Sequence, residues 1–403
     1  MPESRVDSPY AWLRLAASVC LSTIGGVGLW SIVVALPAVQ AEFGVARAGA
    51  SLPYTLTMLG FMAGGVLMGR LADRFGVIVP VVIGSVSLGL GYIVSASAGG
   101  FWTFSLIHGV LIGAFGSCAV FAPLVADSSH WFLRRRGLAV ALAACGSYLA
   151  GVFWPPVLQH FIATEGWRAT HLVVGLFCLV TMLPLALLLR RKPPQAARPA
   201  TSGAAAPAAA LGLGPNTLQA LLVLAGIACC VAMAMPQVHL VAYCTDLGYG
   251  AARGAEMLSL MLACGVISRL TTGWIMDRIG GLATLLLGSS LQALALALYL
   301  PFDGLISLYV ISALFGLFQG GIVPSYAMII RDFFPAREAG TRVGLVLSAT
   351  LAGMALGGWM SGAIFDATGS YHAALVNGLL WNLLHMSIAF WLLHRATRRP
   401  LPA

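Results

Sequence analysis

The chain has 403 residues, 59% of them hydrophobic and only 9% charged, against about a quarter charged in soluble domains. That balance excludes a soluble globular domain and describes a chain immersed in lipid. The formal charge of +9 is no sign of a nucleic-acid surface, because the cations lie in short loops scattered between apolar runs.

In chain order, Met1 to Asp7 is polar, and the first apolar run is too long and lacks the small-residue site of a cleavable signal. Runs long enough to cross a bilayer, about 20 residues each, follow at 12–37, 50–69, 77–97, 101–125, 137–160 and 167–189. A second set lies at 217–244, 254–276, 281–300, 305–330, 342–364 and 371–393. The expectation is an all-α integral membrane protein, twelve transmembrane helices in two pseudo-symmetric six-helix bundles. Residues 190–215, from Arg190-Arg191-Lys192-Pro193-Pro194 into an Ala/Pro-rich stretch, have no apolar periodicity and read as a flexible linker. The expected domains are therefore 1–189 and 216–403.

A polar knuckle interrupts the apolar pattern twice. Gly69-Arg70-Leu71-Ala72-Asp73-Arg74-Phe75-Gly76 follows the second span, and Gly273-Trp274-Ile275-Met276-Asp277-Arg278-Ile279-Gly280 follows the eighth. The Gly, Asp and final Gly positions are each 204 residues apart, which marks an internal duplication. Gly166, Leu172, Val173, Gly175 and Leu176 recur as Gly369, Leu375, Val376, Gly378 and Leu379, 203 residues on.

Lys and Arg are retained on the cytoplasmic side of a membrane. Of the 22, only Arg47, Arg168 and Arg253 fall on the side away from the termini, with Arg269 inside a span. Both termini are accordingly expected in the cytoplasm. The eight cysteines fall within spans without metal-type spacing and read as small hydrophobes, so no metal or cofactor is expected.

With two six-helix halves and the duplicated Gly-x-x-x-Asp-Arg-x-Gly loop, the chain resembles a major facilitator superfamily transporter. A narrower resemblance lies before the fifth span. Trp131-Phe132-Leu133-Arg134-Arg135-Arg136-Gly137-Leu138-Ala139 and the Asp7-Ser8-Pro9-Tyr10-Ala11-Trp12 start are similar to signatures of the monocarboxylate transporter branch. Ser8, Pro9 and Ala11 depart from the latter, and Val77-Ile78 stand where the facilitator loop has basic residues. The resemblance implies a gate built from Gly69, Asp73, Arg74 and Gly76 with Gly273, Asp277, Arg278 and Gly280. Asp73 would face the helix that begins near Arg342, and Asp277 the helix that begins near Arg136 and Gly137. It also implies that helices 1, 4, 7 and 10 line the transport path.

Charge inside a bilayer is costly and usually functional. None of the 13 Asp and Glu falls mid-span, and Arg269 is the one cation that does. It stands eight residues before Asp277, roughly 12 Å along the helix. The monocarboxylate branch often carries an Asp-x-x-x-Arg pair there, so the resemblance implies Arg269 as a carboxylate clamp, a task that suits its planar fork. Position 265 is Gly, which removes the acid of that pair.

Further substrate-contact candidates are Gln237 and His239 on the seventh span, Gln319 and Tyr326 on the tenth, Tyr54 on the second, Tyr148 on the fifth and Phe121 on the fourth. Phe121 and Gln319 stand where relatives commonly have tyrosines. His239 and then His108 are the candidate proton carriers, since imidazole titrates near neutrality. His171, His385, Asn377 and Asn382 read as interhelical hydrogen-bonding residues.

The expected function is secondary or facilitative transport of a small organic anion, foremost a monocarboxylate and with protons as a candidate co-substrate. The site is the plasma membrane, the inner membrane in a bacterium, and the protein is expected to act as a monomer. A drug-efflux antiporter of the same fold is the alternative. Such pumps tend to use a buried acid, whereas the buried charge here is basic, and the fifth span has no Gly-Pro step. An enzyme is not expected, because no convergent set of nucleophile, base or metal ligands is present.

Overall fold

The computed structural model describes residues 6–191 and 211–398, with Arg136, Ala336 and Arg337 described by their backbone only. The expected linker falls mostly outside these residues. Eleven helices among the described residues are long and apolar enough to span a bilayer. One of them, Gly137–Leu187, is two helices joined at Gly166, whose φ of 81° and ψ of 161° interrupt the helical path. The spans are therefore α1 (Pro9–Phe43), α2 (Arg47–Phe75), α3 (Ile78–Ala96), α4 (Phe101–Trp131), α5 (137–165) and α6 (167–187). The second set is α7 (Pro215–Asp246), α8 (Ala251–Ile279), α9 (Gly281–Leu298), α10 (Leu305–Phe333), α11 (Glu338–Thr368) and α12 (Tyr371–Arg398).

Helices pair within themselves the backbone groups that lipid would otherwise leave unpaired, which is why apolar runs of this length take that form. The two knuckles end α2 and α8 in one backbone shape, Gly76 at φ 88°, ψ 161° and Gly280 at φ 81°, ψ 166°. Side chains rarely adopt that region, which is why both repeats end on glycine.

Two compact units emerge from the packing. The first takes the chain up to the linker together with Leu240–Ala263, and the second takes the remainder. They differ from the halves of the sequence repeat over the end of α7 and the first half of α8. Within the first unit, Arg47 Nη2 on α2 bonds Asp246 Oδ1 on α7 at 3.0 Å, and Ser259 Oγ on α8 donates to the Val152 carbonyl of α5. Gly151 faces Leu262 and the Trp30 ring, where a Cβ would lie 2.1 Å from Leu262.

Each unit is closely packed. In the first, α4 lies against α2 at backbone contact, since a Cβ on Gly60 would lie 2.0 Å from the Gly109 carbonyl and one on Gly64 1.8 Å from that of Ala114. In the second, Leu218, Leu222, Leu285, Ile329, Val346 and Leu392 form the core among α7, α9, α10, α11 and α12.

α4 is not one regular helix. It runs α-helical over Phe101–Ile107, π-helical over His108–Gly116 and 3-10 over Ser117–Val120, then turns α-helical again over Ala122–Trp131. Phe121 at φ −118°, ψ −81° marks the last junction. α10 is interrupted at Gly320 and Gly321, and Ser117 shifted by the 203-residue repeat falls on Gly320. Both halves thus loosen the backbone hydrogen-bond ladder at the same place, as helices do beside functional sites.

Candidate functional site

Arg269 lies on the face of α8 that is turned inward. Exposed Ile267, Leu270 and Trp274 mark the opposite face, while buried Gly265 and Met276 fall on its own at helical spacing. The side chain is half-buried, and Nε is shielded from solvent. A guanidinium that snorkels to the bilayer surface would start from the lipid face, so the placement favours an inward-directed cation.

The neighbouring residues of α8 pack on the break in α10. A Cβ on Gly320 would lie 2.7 Å from the Gly265 carbonyl and 2.8 Å from Ser268 Cβ, and one on Gly321 would lie 2.2 Å from Thr272. Gln319, immediately before the break, is 1% exposed, and neither its Oε1 nor its Nε2 has a hydrogen-bond partner among the described residues. The structure therefore brings Arg269 and Gln319 to one helix crossing, where two glycines let the backbones touch. Tyr326, further along α10, is buried, as is Gln237 on α7.

In the first unit, Tyr54 is buried, and Tyr148 and Phe121 are half-buried. Phe121 packs 6.2 Å from the Phe61 ring at the junction in α4.

The two histidines expected to carry protons are placed differently from that expectation. His239 is fully buried and turned into its own bundle. Its Nε2 lies 2.8 Å from the Gly358 carbonyl, which can only accept, so Nε2 carries the hydrogen; Nδ1 then accepts from the Tyr371 hydroxyl at 3.1 Å. With both nitrogens engaged, the ring serves as a tie from α7 to α11 and α12 rather than as a lining group. His108 is also fully buried, boxed by Phe104 at 4.5 Å, His171 at 5.7 Å and Tyr92 at 6.3 Å. That box is aromatic, and neither nitrogen of His108 has a hydrogen-bond partner among the described residues.

The residues expected to form a gate lie at the knuckles, and among the described residues their side chains engage partners other than those expected. Asp73 and Asp277 are exposed and make no ion pair among the described residues. Arg74 lies over Phe75 at 5.2 Å and Arg278 over Trp274 at 3.6 Å. An aromatic face on the same helix holds each guanidinium at no cost in chain reach. Glycines 69 and 273 have open space where a side chain would be. Arg342 is held within the second unit, by Glu338 at 2.9 Å and over the Phe334 ring at 4.3 Å, and Arg136 has no described side chain.

Arg269 is also not the one buried cation. Arg14, 2% exposed, forms a bidentate pair with Asp127, Nε to Oδ2 at 2.8 Å and Nη2 to Oδ1 at 3.0 Å. Its Nη1 donates to the Arg191 carbonyl at 3.1 Å, and the guanidinium lies 4.6 Å from the centre of the Trp131 ring. The partners are 113 residues apart, so no local spacing in the sequence reveals them.

The family is settled by comparison with known proteins. A model of the Major Facilitator Superfamily matches residues 19–307 and 257–403. The chain belongs to the Major Facilitator Superfamily. It is a multi-pass membrane transporter that resembles the monocarboxylate branch of that superfamily. Monocarboxylate transporter 11 of Homo sapiens is 28% identical over 399 residues, covering 94% of this chain and 82% of that protein. Monocarboxylate transporter 13 of Bos taurus is 29% identical over 312 residues, covering 76% and 71%. The MFS-type transporter pynF of Aspergillus niger is 25% identical over 75% of this chain and 69% of its own.

Among solved structures, the nucleoside transporter NupG superposes with a TM-score of 0.73 at 14% identity over 95% of this chain and 99% of its own. A bacterial homologue of the human lysosomal transporter Spinster, inward-facing and unoccupied, gives a TM-score of 0.70 at 14% identity over 96% of each chain. At that identity the likeness speaks for the fold alone.

Proposed function

We propose that this major facilitator carries a small organic anion, foremost a monocarboxylate, with Arg269 as the carboxylate clamp. The observation that carries this reading is the cation on the inward face of α8, with glycine one turn to either side at positions 265 and 273. A carboxylate from solution meets a planar fork that takes both its oxygens, and the charge of each is cancelled on contact. Gln319, buried beside the same crossing, supplies an amide for a second polar group of the substrate. The curated relatives named monocarboxylate transporters support the substrate class. Transport proceeds by alternating access of the two six-helix halves about a mid-membrane site. Both termini lie in the cytoplasm of a cell whose plasma membrane holds the protein as a monomer.

The test is uptake into proteoliposomes of a panel of labelled short, branched and aromatic monocarboxylates, with one cationic drug included. Uptake of acids and not of the drug is expected. Drug transport without acid transport would favour the efflux reading.

A further inference from the structure

Aromatic rings and arginines interleave at the end of the first unit where α1 begins and α4 and α6 finish. Tyr10 and Trp12, near the start of α1, pack edge-on against Trp131 and Phe132, with ring centres 5.3 Å and 5.0 Å apart. Each of the two α1 rings also carries a guanidinium: that of Arg191 lies 4.5 Å from the Tyr10 centre and that of Arg135 6.0 Å from the Trp12 centre. The Tyr10 hydroxyl donates to the Leu188 carbonyl at 2.6 Å, which ties the end of α6 to the start of α1. Beside Trp12 lies a hollow of about 290 Å³ lined by Asp7, Trp12, Arg134 and Arg135.

The acid in this hollow is committed to the main chain. Asp7 Oδ2 accepts from the backbone N–H of Arg134 at 3.2 Å and of Leu133 at 3.4 Å, and the Asp7 N–H donates to the Trp131 carbonyl at 3.0 Å. Asp7 thus shapes the loop, and among the described residues Arg134, Arg135 and Arg191 form no ion pair. A guanidinium held by its face on a ring still presents its in-plane N–H donors outward, where a phosphate can take two of them. Apolar side chains border these cations: Leu13, next to Trp12, is 52% exposed and Leu133, next to Arg134, is 68% exposed. Positive charge that only orients a chain in a membrane needs no such border. Exposed leucines beside guanidiniums with free donors offer hydrocarbon contact and a phosphate clamp on one surface, the two chemistries that a phospholipid joins in one molecule.

We propose that this end of the first unit binds an anionic phospholipid of the adjoining leaflet, with its phosphate in the hollow between Arg134 and Arg135 and its acyl chains against the exposed leucines. Charge selects the lipid class. Three guanidiniums face one carboxylate here, so a headgroup of net negative charge is matched, whereas a zwitterionic one returns a cation to a positive surface. The leucines select lipid over a soluble phosphate, which gains the cations and nothing from the apolar border. Bound in this way, the lipid fastens the loop after α4 to the start of α1.

The experiment uses the full-length protein in a neutral detergent, with bound lipid counted by native mass spectrometry as phosphatidylglycerol or phosphatidylcholine is titrated in. Phosphatidylglycerol is expected to be retained at concentrations where phosphatidylcholine is not. Arg134→Gln/Arg135→Gln is expected to weaken that retention about fivefold for each guanidinium lost. Arg331→Gln/Arg398→Gln removes the same charge from exposed positions of the second unit and is expected to retain the lipid as wild type does. If the first double variant does not fold, Arg134→Gln alone decides, because its exposed guanidinium has no ion pair among the described residues to lose. Wild-type retention in a folded Arg134→Gln/Arg135→Gln or Arg134→Gln overturns the proposal. An equal loss in Arg331→Gln/Arg398→Gln overturns it too, since diffuse charge would then account for the binding. Glycerol 3-phosphate that displaces phosphatidylglycerol at matched concentration overturns the lipid assignment in favour of a soluble phosphate.

Discussion

Asp127→Ala removes one partner of a buried ion pair and leaves the other in place. Arg14 is 2% exposed and directs two donors at the carboxylate, with a third on the Arg191 carbonyl and its face on Trp131. Stranding such a guanidinium costs about 3–5 kcal/mol, whereas replacing both partners by apolar residues of similar volume is often neutral or stabilising. At roughly 2–4 °C per kcal/mol for a unit of this size, the single variant should unfold about 6–20 °C below wild type. The double variant Arg14→Met/Asp127→Leu should unfold close to wild type. The assay is a thermal-unfolding scan of the purified protein in one detergent, followed by intrinsic tryptophan fluorescence. A double variant as unstable as Asp127→Ala would refute the reasoning, because the loss would then come from shape and not from an uncompensated charge.

Other substitutions test the packing and the ties between helices. Gly64→Val, forced 1.8 Å from the Ala114 carbonyl, should prevent α2 from seating on α4, whereas Gly65→Val, with nothing within 4 Å, should be tolerated; yields of monodisperse protein compare the two. Arg47→Ala should raise labelling of buried Cys244 by a membrane-impermeant thiol reagent several-fold, since Asp246 two residues on loses its partner. The swap Arg47→Asp/Asp246→Arg should restore protection, and unchanged labelling in the single variant would show that the pair does not hold α7. Tyr371→Phe removes the donor to His239 Nδ1. It should cost about 0.5–1.5 kcal/mol, read as a small drop in the same thermal scan, with transport retained.

The number and order of the helices were legible because a bilayer demands unbroken apolar runs, and short polar turns punctuated them. Their ends are less so: the apolar run predicts 12–37 for α1, which extends over Pro9–Phe43, because helices continue into the membrane interface where composition no longer distinguishes them. The apolar runs predict α5 and α6 as separate helices, and Gly166 divides them. The irregular course of α4 has partial signals in Gly109, Gly113, Gly116 and Pro123, but no local pattern encodes the π segment over His108–Gly116. The same holds for Arg14 with Asp127, and for the buried hydrogen bonds of Asn382 to the Ser289 carbonyl, Gln292 to the Cys229 carbonyl and Tyr326 with His385. The resemblance to the superfamily implies a lining place for Tyr326 and an outer helix for His385, while only the packing joins them. His239 stands near Pro236 in the sequence, yet its bonds to Gly358 and Tyr371 depend on rotation about the α7 axis.

The central claim concerns a single guanidinium. Equilibrium binding of a labelled monocarboxylate to purified wild type and to Arg269→Gln, each verified as folded by the same thermal scan, tests it most directly. The account predicts saturable binding to wild type that is lost in Arg269→Gln and partly restored in Arg269→Lys, where the charge returns without the fork. Arg269→Gln binding the acid as tightly as wild type would contradict it.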